Sequence, residues 1–402
     1  MTDTAAPVTP DAVTAILRNV IDPELGSDIV ELGMAKGVTI DDGVVTVTIA
    51  LTTMGCPLRA EIRKEVRTRV GELDGVADVK IDWTELSQEE KSQVMDRARR
   101  NIAREAPDTE ISLMTRVLLI ASGKGGVGKS SVTVNLAAAL AARGFTVGVL
   151  DADIWGFSVP RMIGVDGRLA GVDGEKKIRP NERRIGDGLL KVVSMGFLVE
   201  NEEQALMWRG LILNRAVRHF LEDVRWGEMD YLLVDMPPGT GDVQMGIAKL
   251  LPRAEMIVVT TPALSAQKVA VRVANMGRAN YLRVIGVIEN MTAFVNEEGN
   301  VYELFGSGGG EHLSEDLKVP LLGRIPIDGA VSHGGDSGNP VALGDGPAAV
   351  ELRAIADRLA DDVAPPIDMA GCSARIMEAT DEVVNRLRSG DPGESESGVT
   401  IG

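Results

Sequence analysis

Cysteine and aromatic residues are scarce in this sequence. Only Cys56 and Cys372 occur in 402 residues, far apart, so the chain contains neither a disulfide framework nor a Cys-x-x-Cys pair. Aromatic residues make up 3% of the chain, which argues against the stacking platforms that bind single-stranded nucleic acid. These shortages exclude a disulfide-stapled secreted scaffold and disfavour a single-strand-binding protein.

Basic charge and long apolar runs are scarce as well. The formal net charge of −17 argues against non-specific binding to nucleic acid or to an anionic membrane. No apolar run approaches the roughly 20 residues that span a bilayer. The N-terminus "MTDTAAPVTPDAV" has acids and no basic segment, unlike a signal peptide. We therefore expect a cytoplasmic location, with proteins or small molecules as partners and no binding to nucleic acid or membrane.

The first part of the chain is typical of a small α+β domain, over residues 1–84. A helical pattern is followed by the alternating strand "VVTVTIAL" and by a helix from Pro57 to about Leu73. Residues 85–113 are highly charged and predict a solvated helical linker. A chain of this length has room for at least one further domain.

From Met114 onward the pattern is that of an α/β fold. The apolar runs "RVLLIA", "TVGVL", "LKVVS", "YLLVD", "MIVVT" and "VIGVI" alternate with helical stretches. This alternation predicts a parallel sheet covered by helices on both faces, over residues 114–368. Residues 369–402 predict one more helix, around Ala374 to Arg388, and then a disordered polar tail.

A glycine-rich loop, "SGKGGVGKSSV", follows the first of these runs. Gly123-x4-Gly128-Lys129-Ser130 matches the phosphate-loop pattern, with the required strand before it and helix after it. The glycines let backbone N–H groups face a nucleotide's phosphates at the positive end of the helix. The residues predicted to contact ATP here are Gly123, Lys124, Gly125, Gly126, Val127, Gly128, Lys129, Ser130 and Ser131.

Two positions predict a magnesium site beside this loop. Ser130 is expected to ligate Mg²⁺, while Lys129 contacts the β- and γ-phosphates. Asp235 ends the apolar run of "YLLVDMPPGTGD", where an acid holds Mg²⁺ through water. A lone acid at a strand end is usually a turn residue, but here it accompanies the complete phosphate loop. Mg-ATP is therefore the predicted cofactor.

The loop contains a further lysine, Lys124, five residues before Lys129. It indicates which class of phosphate loop this is. The pattern "xKGGxGK[ST]" resembles the deviant Walker A ATPases, a family of P-loop NTPases. The resemblance implies that Lys124 reaches across a two-fold interface to the nucleotide of a partner, and hence that the protein forms a homodimer. A cation supplied in trans would neutralise charge spreading over the transferred phosphoryl group. The alternative is an exposed lysine without a role.

The same resemblance assigns four further residues. The second acid of "DADIWGFS", Asp153, is implied to orient the attacking water, so that Lys124, Lys129 and Asp153 form the catalytic set. Asp151 is implied to lie near the Mg²⁺ shell. Asn290 in "GVIENM" and Pro326 in "GRIPID" match adenine-side positions.

Longer stretches resemble one branch of that family. "DADIWGFSVPRM", "MDYLLVDMPPGTGD", "VVTTPALSAQKVA" and "FGSGGGEHL" are similar to the Mrp/ApbC-type iron–sulfur cluster carriers. The N-terminal "DPELGSDIVELG…TTMGCPLRAEI" resembles the small iron–sulfur assembly domain that is commonly fused to them. The resemblance covers nearly all of residues 10–365. It implies slow ATP hydrolysis, a [4Fe–4S] cluster, and apoprotein clients and assembly proteins as partners.

One departure from the resemblance concerns the cluster ligands. These carriers present Cys-Pro-x-Cys after "ENM-x-x-F", but here the two positions are Asn296 and Gly299. Neither supplies the soft thiolate that a cluster prefers. Cys56, at the start of a predicted helix, is the candidate ligand, and a small buried hydrophobe is its alternative. Cys372 from each of two subunits, with Cys56, would complete four thiolates.

Two hypotheses of function remain open at this stage. The first is a dimeric, ATP-hydrolysing carrier that binds iron–sulfur clusters and transfers them to apoproteins. The second is a metal-free, nucleotide-driven switch that recruits assembly partners as a scaffold. The overall resemblance and Cys56 favour the first, and the missing Cys-x-x-Cys favours the second.

Overall fold

The structure is a computed structural model. It describes residues 8–22, 25, 27–52, 59–105, 108–153, 156–172, 174–198, 210–296 and 298–367. The chain divides into two compact units. The first contains Met1–Asp108, Gly241–Ala254 and Asn275–Arg283, and the second contains Thr109–Thr240, Glu255–Ala274 and Val284–Gly402. The helix predicted around Ala374 to Arg388 lies outside the described residues.

The first unit contains a three-stranded sheet. Its principal elements are α1 (Pro10–Leu17), β1 (Ala35–Asp41), β2 (Val44–Leu51), α2 (Arg59–Gly71), β3 (Asp78–Glu85) and α3 (Gln88–Glu105). β2 is central, antiparallel to β1 and parallel to β3. Asp42 and Gly43 both have positive φ, the conformation that a tight hairpin turn between β1 and β2 requires.

The core of this unit reflects two patterns in the sequence, one typical of a strand and one typical of a helix. Alternate residues of β2 are fully buried, as expected for a strand with one face on the core. The buried residues of α2, Ile62, Val66 and Val70, recur every four positions and form one helical stripe. α1 contributes Val13 and Leu17 to the same core.

α3 requires a correction to the expected solvated linker. The helix exists, but Val94 and Ala98 are buried in the core of the first unit. Their spacing of four residues places both on one helical face, while most of the other residues of α3 are charged or polar. The high charge of residues 85–113 concealed this narrow apolar stripe. This segment therefore contributes a packed helix to the domain rather than a connector.

The second part of the chain supplies most of the remaining elements. They are β4 (Arg116–Ser122), α4 (Lys129–Ala142), β5 (Thr146–Asp151), α5 (Val159–Ile163), β6 (Ala170–Gly171), β7 (Ile178–Arg179), β8 (Asn181–Ile185), β9 (Gly188–Ser194), α6 (Gly210–Glu222), β10 (Tyr231–Asp235), α7 (Asp242–Leu250), β11 (Glu255–Thr260), α8 (Leu264–Ala279), β12 (Arg283–Val295), β13 (Val301–Tyr302), α9 (Gly309–Leu317), β14 (Leu321–Ile327), α10 (Gly329–Ser337) and α11 (Pro347–Arg358). Short 3-10 turns span Met195–Leu198 and Val341–Leu343, and a π-helical turn spans Leu359–Val363. None of the described helices has both the length and the apolar character needed to cross a bilayer.

A nine-stranded sheet organises the second unit. Its order is β13-β12-β11-β4-β10-β5-β9-β8, and β14 pairs with β12. The pairs of β4, β5, β9, β10 and β11 that border the site are parallel, whereas β8 and β13 run antiparallel to their neighbours. The six apolar runs are β4, β5, β9, β10, β11 and β12. The expected α/β fold is confirmed.

α4 is buried along almost its whole length. It follows β4 directly and carries the run "LAAALAA", whose small side chains allow close packing on the sheet. Leu136 and Leu140 are fully buried in the same core as the strand residues Leu118 and Val149. This packing fixes the N-terminus of α4 at the end of β4.

The start of α9 depends on a glycine. The N–H of Gly310 donates to Glu289 Oε1 at 2.7 Å, and Glu289 has 0% exposure. A Cβ on Gly310 would lie 2.6 Å from the Cβ of Glu289, closer than real contacts allow. Glu289 also accepts from Arg324 Nε at 3.0 Å. The buried carboxylate therefore holds the helix against β12.

Gly310→Ala should destabilise the second unit. The added Cβ forces α9 away from β12, and overpacking of this kind costs about 1–3 kcal/mol. Gly329→Ala, at the start of α10, is the matched control, because a Cβ there meets nothing within 4 Å. Scanning calorimetry should show a lower midpoint for the first variant alone. Equal midpoints would contradict the close approach.

Candidate nucleotide site

Three parallel strands bring the predicted site residues to one edge of the sheet. β10 lies between β4 and β5, and Asp235 is in register with both Ile120 and Asp151. The carboxyl ends of these strands therefore meet at the same place, where ligands bind in open α/β sheets. The glycine-rich loop leaves β4 at this edge and leads into α4.

The conformation of the loop explains why several of its positions are glycine. Gly126 and Gly128 have φ of 79° and 80°, values that residues with a Cβ rarely adopt. A Cβ on Gly123 would lie 2.5 Å from the backbone nitrogen of Ala270. A Cβ on Gly128 would lie 2.2 Å from Asn290 Nδ2. Glycine is therefore required in this loop for two reasons: the positive φ angles, and the close approach of neighbouring atoms to the loop backbone.

Lys129 and Asp235 form a buried ion pair at the centre of the site. Lys129 Nζ donates to Asp235 Oδ1 at 2.7 Å, and the side chains are 6% and 1% exposed. The Ser130 hydroxyl donates to Asp235 Oδ2 at 2.5 Å. The Thr133 hydroxyl lies 3.0 Å from Asp235 Oδ1 and 3.0 Å from the Lys129 carbonyl. The predicted phosphate and magnesium residues are therefore in direct contact.

Two further carboxyl groups, those of Asp151 and Asp153, lie close to this ion pair. Asp153 Oδ2 lies 3.7 Å from Lys129 Nζ. Asp151 is fully buried and accepts from the Ser194 hydroxyl at 2.9 Å. Burial, and then the charge of Asp235, raises the pKa of Asp151 to about 7. Burial also raises the pKa of Asp153, although Lys129 opposes that shift.

Lys124 stands apart from this cluster of charges. Its side chain is exposed, and its ammonium lies 3.4 Å from the Ser265 hydroxyl. Its backbone carbonyl accepts from the Ser122 hydroxyl at 3.1 Å, which holds the loop beside β4. The two lysines of the loop therefore have different surroundings, one buried among carboxylates and the other at the surface. The trans role of Lys124 stays a prediction.

Asn290 and Pro326 lie on the neighbouring strands β12 and β14. The Asn290 amide donates to the Val127 carbonyl at 2.9 Å and is buried. Asn290 is in register with Ile325, so Pro326 follows at the same end of the sheet. Asn290 thus supports the phosphate loop directly, a contact that the sequence did not indicate.

The positions that replace the cysteines of related carriers form a turn. Asn296 Oδ1 accepts from the backbone N–H of Glu298 at 3.1 Å and of Asn300 at 2.8 Å. Gly299 has a φ of 84°, which suits glycine. The turn connects β12 to β13, and neither residue supplies a thiolate.

Metal-ligating side chains do not cluster elsewhere in the described part of the chain. No group of three or more His, Cys, Asp and Glu residues there is arranged to hold a metal ion. Cys56 and Cys372 both lie outside the described residues. The candidate cluster ligands therefore stay predictions.

Sequence reasoning missed two hydroxyl residues of this site. Thr133 lies one helical turn after Lys129, a spacing that places both on one face of α4 and was available from the pattern. Ser194 comes from the end of β9, which pairs with β5 through Asp151. Its contact with Asp151 depends on strand order, and no local sequence signal indicates it.

Thr133→Val should lower the free energy of unfolding of the nucleotide-free protein. The change removes a hydroxyl beside a buried carboxylate, and such a hydrogen bond contributes about 1.5–3 kcal/mol. Thr133→Ser keeps the hydroxyl and should lose less. Denaturant unfolding of both variants would check this. A valine variant no less stable than the serine variant would contradict the proposed hydrogen bond.

Two family models match the chain. Residues 113–360 match the family described as NUBPL iron-transfer P-loop NTPase. Residues 10–83 match the family described as iron-sulfur cluster assembly protein. The matched segments contain the nucleotide site and the α+β sheet respectively.

Curated relatives cover most of the chain. It is 44% identical over 369 residues to an iron-sulfur cluster carrier protein of Mycobacterium leprae, covering 89% of this chain and 94% of that protein. It is 41% identical over 361 residues to an iron-sulfur cluster carrier protein of Synechocystis, covering 89% and 98%.

Solved structures show more distant likenesses. A nucleotide-binding protein from Archaeoglobus fulgidus in complex with ADP is 33% identical, with a TM-score of 0.47, covering 57% of this chain and 89% of that one. The MinD cell division protein of Aquifex aeolicus is 25% identical, with a TM-score of 0.44, covering 62% and 99%.

Proposed function

Because the chain belongs to the family of NUBPL iron-transfer P-loop NTPases and carries an iron–sulfur cluster assembly domain, we propose that it is an ATP-hydrolysing, dimeric iron–sulfur cluster carrier that transfers clusters to apoproteins. The observation that carries the nucleotide part is the buried contact of Lys129 and Ser130 with Asp235. The relatives named as cluster carriers support the cargo.

The donor set beside the loop fits Mg²⁺. Ser130 offers a hydroxyl and Asp235 a carboxylate, both hard oxygen ligands of the kind that Mg²⁺ prefers. Asp235 is buried, so water does not screen its charge. Bound there, Mg²⁺ would neutralise phosphate charge and orient the γ-phosphoryl group for displacement.

Different residues of the site have different roles in ATP hydrolysis. Lys129 and the backbone N–H groups at the start of α4 hold the phosphates. Asp153, beside Lys129 at 3.7 Å, orients the attacking water. Thr133 and Ser130 fix the Asp235 carboxylate, so that it is preorganised before substrate arrives.

Lys124 acts in trans in this proposal. Its exposed ammonium is outside the carboxylate cluster and is available to a second subunit. Pairing of two subunits would place each ammonium against the partner's phosphates, where developing charge needs a cation. ATP would then favour the closed dimer and hydrolysis the open one.

Lys124→Ala should abolish ATP-dependent pairing and slow phosphate release by at least about tenfold, because a trans cation is lost. Light scattering after gel filtration, with and without ATP, measures the pairing. Lys268→Ala is the control, since Lys268 is an exposed lysine on α8 of the same unit. Pairing and turnover that survive unchanged in Lys124→Ala would refute the trans role.

The cluster is cargo in this proposal, and its ligands are not in the β12–β13 turn. Asn296 and Gly299 occupy the positions of the missing thiolates and build a turn instead. Cys56 is the proposed ligand, with Cys372 as the second thiolate of each subunit.

Anaerobic reconstitution with iron and sulfide should give about four iron ions per dimer and a visible absorption band, as for a Cys-ligated [4Fe–4S] cluster. Cys56→Ser should lose both signals and keep ATP turnover, because Cys56 is remote in sequence from the phosphate loop. A colourless wild-type protein that still hydrolyses ATP would refute the carrier.

A metal-free switch is the second candidate function. The observation that favours it is the Asn296 turn, which leaves no thiolate at the usual cluster position. In that case ATP would control only the recruitment of assembly proteins. The same iron count separates the two functions.

A further inference from the structure

Ser122 is a buried hydroxyl residue at the point where β4 enters the phosphate loop. It is the last residue of β4 and is 1% exposed. We assign it no contact with ATP. Its two hydrogen bonds nevertheless reach both of the loops that border the phosphate site, one through its hydroxyl and the other through its carbonyl.

The hydroxyl of Ser122 restrains the backbone that carries Lys124. It donates to the Lys124 carbonyl at 3.1 Å. That carbonyl belongs to the planar peptide unit between Lys124 and Gly125, so the hydrogen bond limits rotation of the loop directly after the lysine. The bond is partly buried, and a hydrogen bond shielded from water is stronger than one at the surface.

Packing does not restrain the loop at this point. A Cβ on Gly125 or on Gly126 would meet nothing within 4 Å. Glycine adopts many backbone conformations, so two in succession leave the chain after Lys124 free to rotate. Gly123 differs, because a Cβ there would lie 2.5 Å from the backbone of α8. The Ser122 hydroxyl therefore restrains the C-terminal side of the lysine, as packing restrains its N-terminal side.

The carbonyl of Ser122 is bonded to the second loop. It accepts from the N–H of Gly239 at 3.0 Å. Gly239 lies four residues after Asp235, in the loop between β10 and α7. Ser122 thus connects the loop that follows the proposed magnesium ligand to the peptide unit of Lys124.

The contact of the Lys124 side chain is of a different kind. Its ammonium lies 3.4 Å from the Ser265 hydroxyl at the surface, at the long end of the range for hydrogen bonds. This contact must be given up when the ammonium turns towards a second subunit. The bond from Ser122 involves only the backbone of the lysine, so it can persist while the side chain moves.

We propose that Ser122 is a positioning residue for Lys124. Its hydroxyl fixes the peptide unit of the lysine relative to the loop after Asp235, so that the ammonium is directed towards the nucleotide of a second subunit. Misplacement of a group by about 1 Å can slow catalysis about a hundredfold. The inference rests on the trans role of Lys124 in the proposed function, and it adds the residue that orients the lysine.

A double-mutant cycle tests the proposal. Ser122→Ala and Lys124→Ala are made singly and together in the full chain, and phosphate release from Mg-ATP is measured for each. Ser122→Ala should slow release at least about tenfold and weaken ATP-dependent pairing, measured by light scattering after gel filtration. Affinity for ADP, measured by calorimetry, should change less than about threefold, because Lys129 still holds the phosphates.

The cycle separates positioning from a general loss of structure. If Ser122 acts through Lys124, Ser122→Ala should have no further effect on phosphate release once Lys124 is alanine. Ser314→Ala is the matched control, because the Ser314 hydroxyl also donates to a backbone carbonyl, that of Val319 at 2.6 Å, but lies on α9. This control should release phosphate at the wild-type rate.

Ser122→Cys covers the case in which the alanine variant does not fold. A thiol fills nearly the same space as the hydroxyl but is a weak hydrogen-bond donor. This variant should therefore show the same selective loss of phosphate release and pairing. A thermal midpoint close to that of Ser314→Ala shows that a variant is folded.

Three results would overturn the inference. They are phosphate release in the Ser122 variants as fast as in Ser314→Ala, equal slowing by Ser122→Ala with and without Lys124, and a loss of ADP affinity that parallels the loss of release. In each case Lys124→Ala alone still shows whether the trans role holds. A Lys124→Ala protein that pairs and releases phosphate like the wild type refutes that role, and the inference with it.

Discussion

The buried ion pair between Lys129 and Asp235 is the interaction on which the nucleotide site depends. Taking both charges out of water costs more than their attraction returns unless further hydrogen bonds compensate. Ser130 and Thr133 supply those bonds to the two oxygens of Asp235. The first turn of α4 and the end of β10 are therefore fixed to each other, and the strand order places that junction beside β5.

Residues on the neighbouring strands also act on the ion pair and on the phosphate loop. Burial, and then the negative charge of Asp235, raises the pKa of Asp151, whereas the hydrogen bond from Ser194 opposes that shift. On the other side, Asn290 fixes the Val127 carbonyl and leaves no room for a side chain on Gly128. The loop is thus held from β10 and from β12, and its shape is set before any phosphate binds.

The segment after Asn290 departs from the Cys-Pro-x-Cys pattern that the sequence resemblance leads one to expect. Where two thiolates are expected, Asn296 organises a turn and Gly299 adopts a left-handed conformation. The strands on either side expose apolar residues on both faces. A hydrogen-bonded turn therefore stands where the resemblance leads one to expect soft thiolate ligands.

Local patterns in the sequence determined the parallel strands, the phosphate loop and the acid after β10, because strand period, glycine spacing and strand-end position are short-range features. They misread α3, since two buried residues, Val94 and Ala98, are hidden among many charges. They also missed the contact between Ser194 and Asp151, and the exposure of Tyr302. These depend on which strands are neighbours and on which faces stay uncovered, and only tertiary packing decides that.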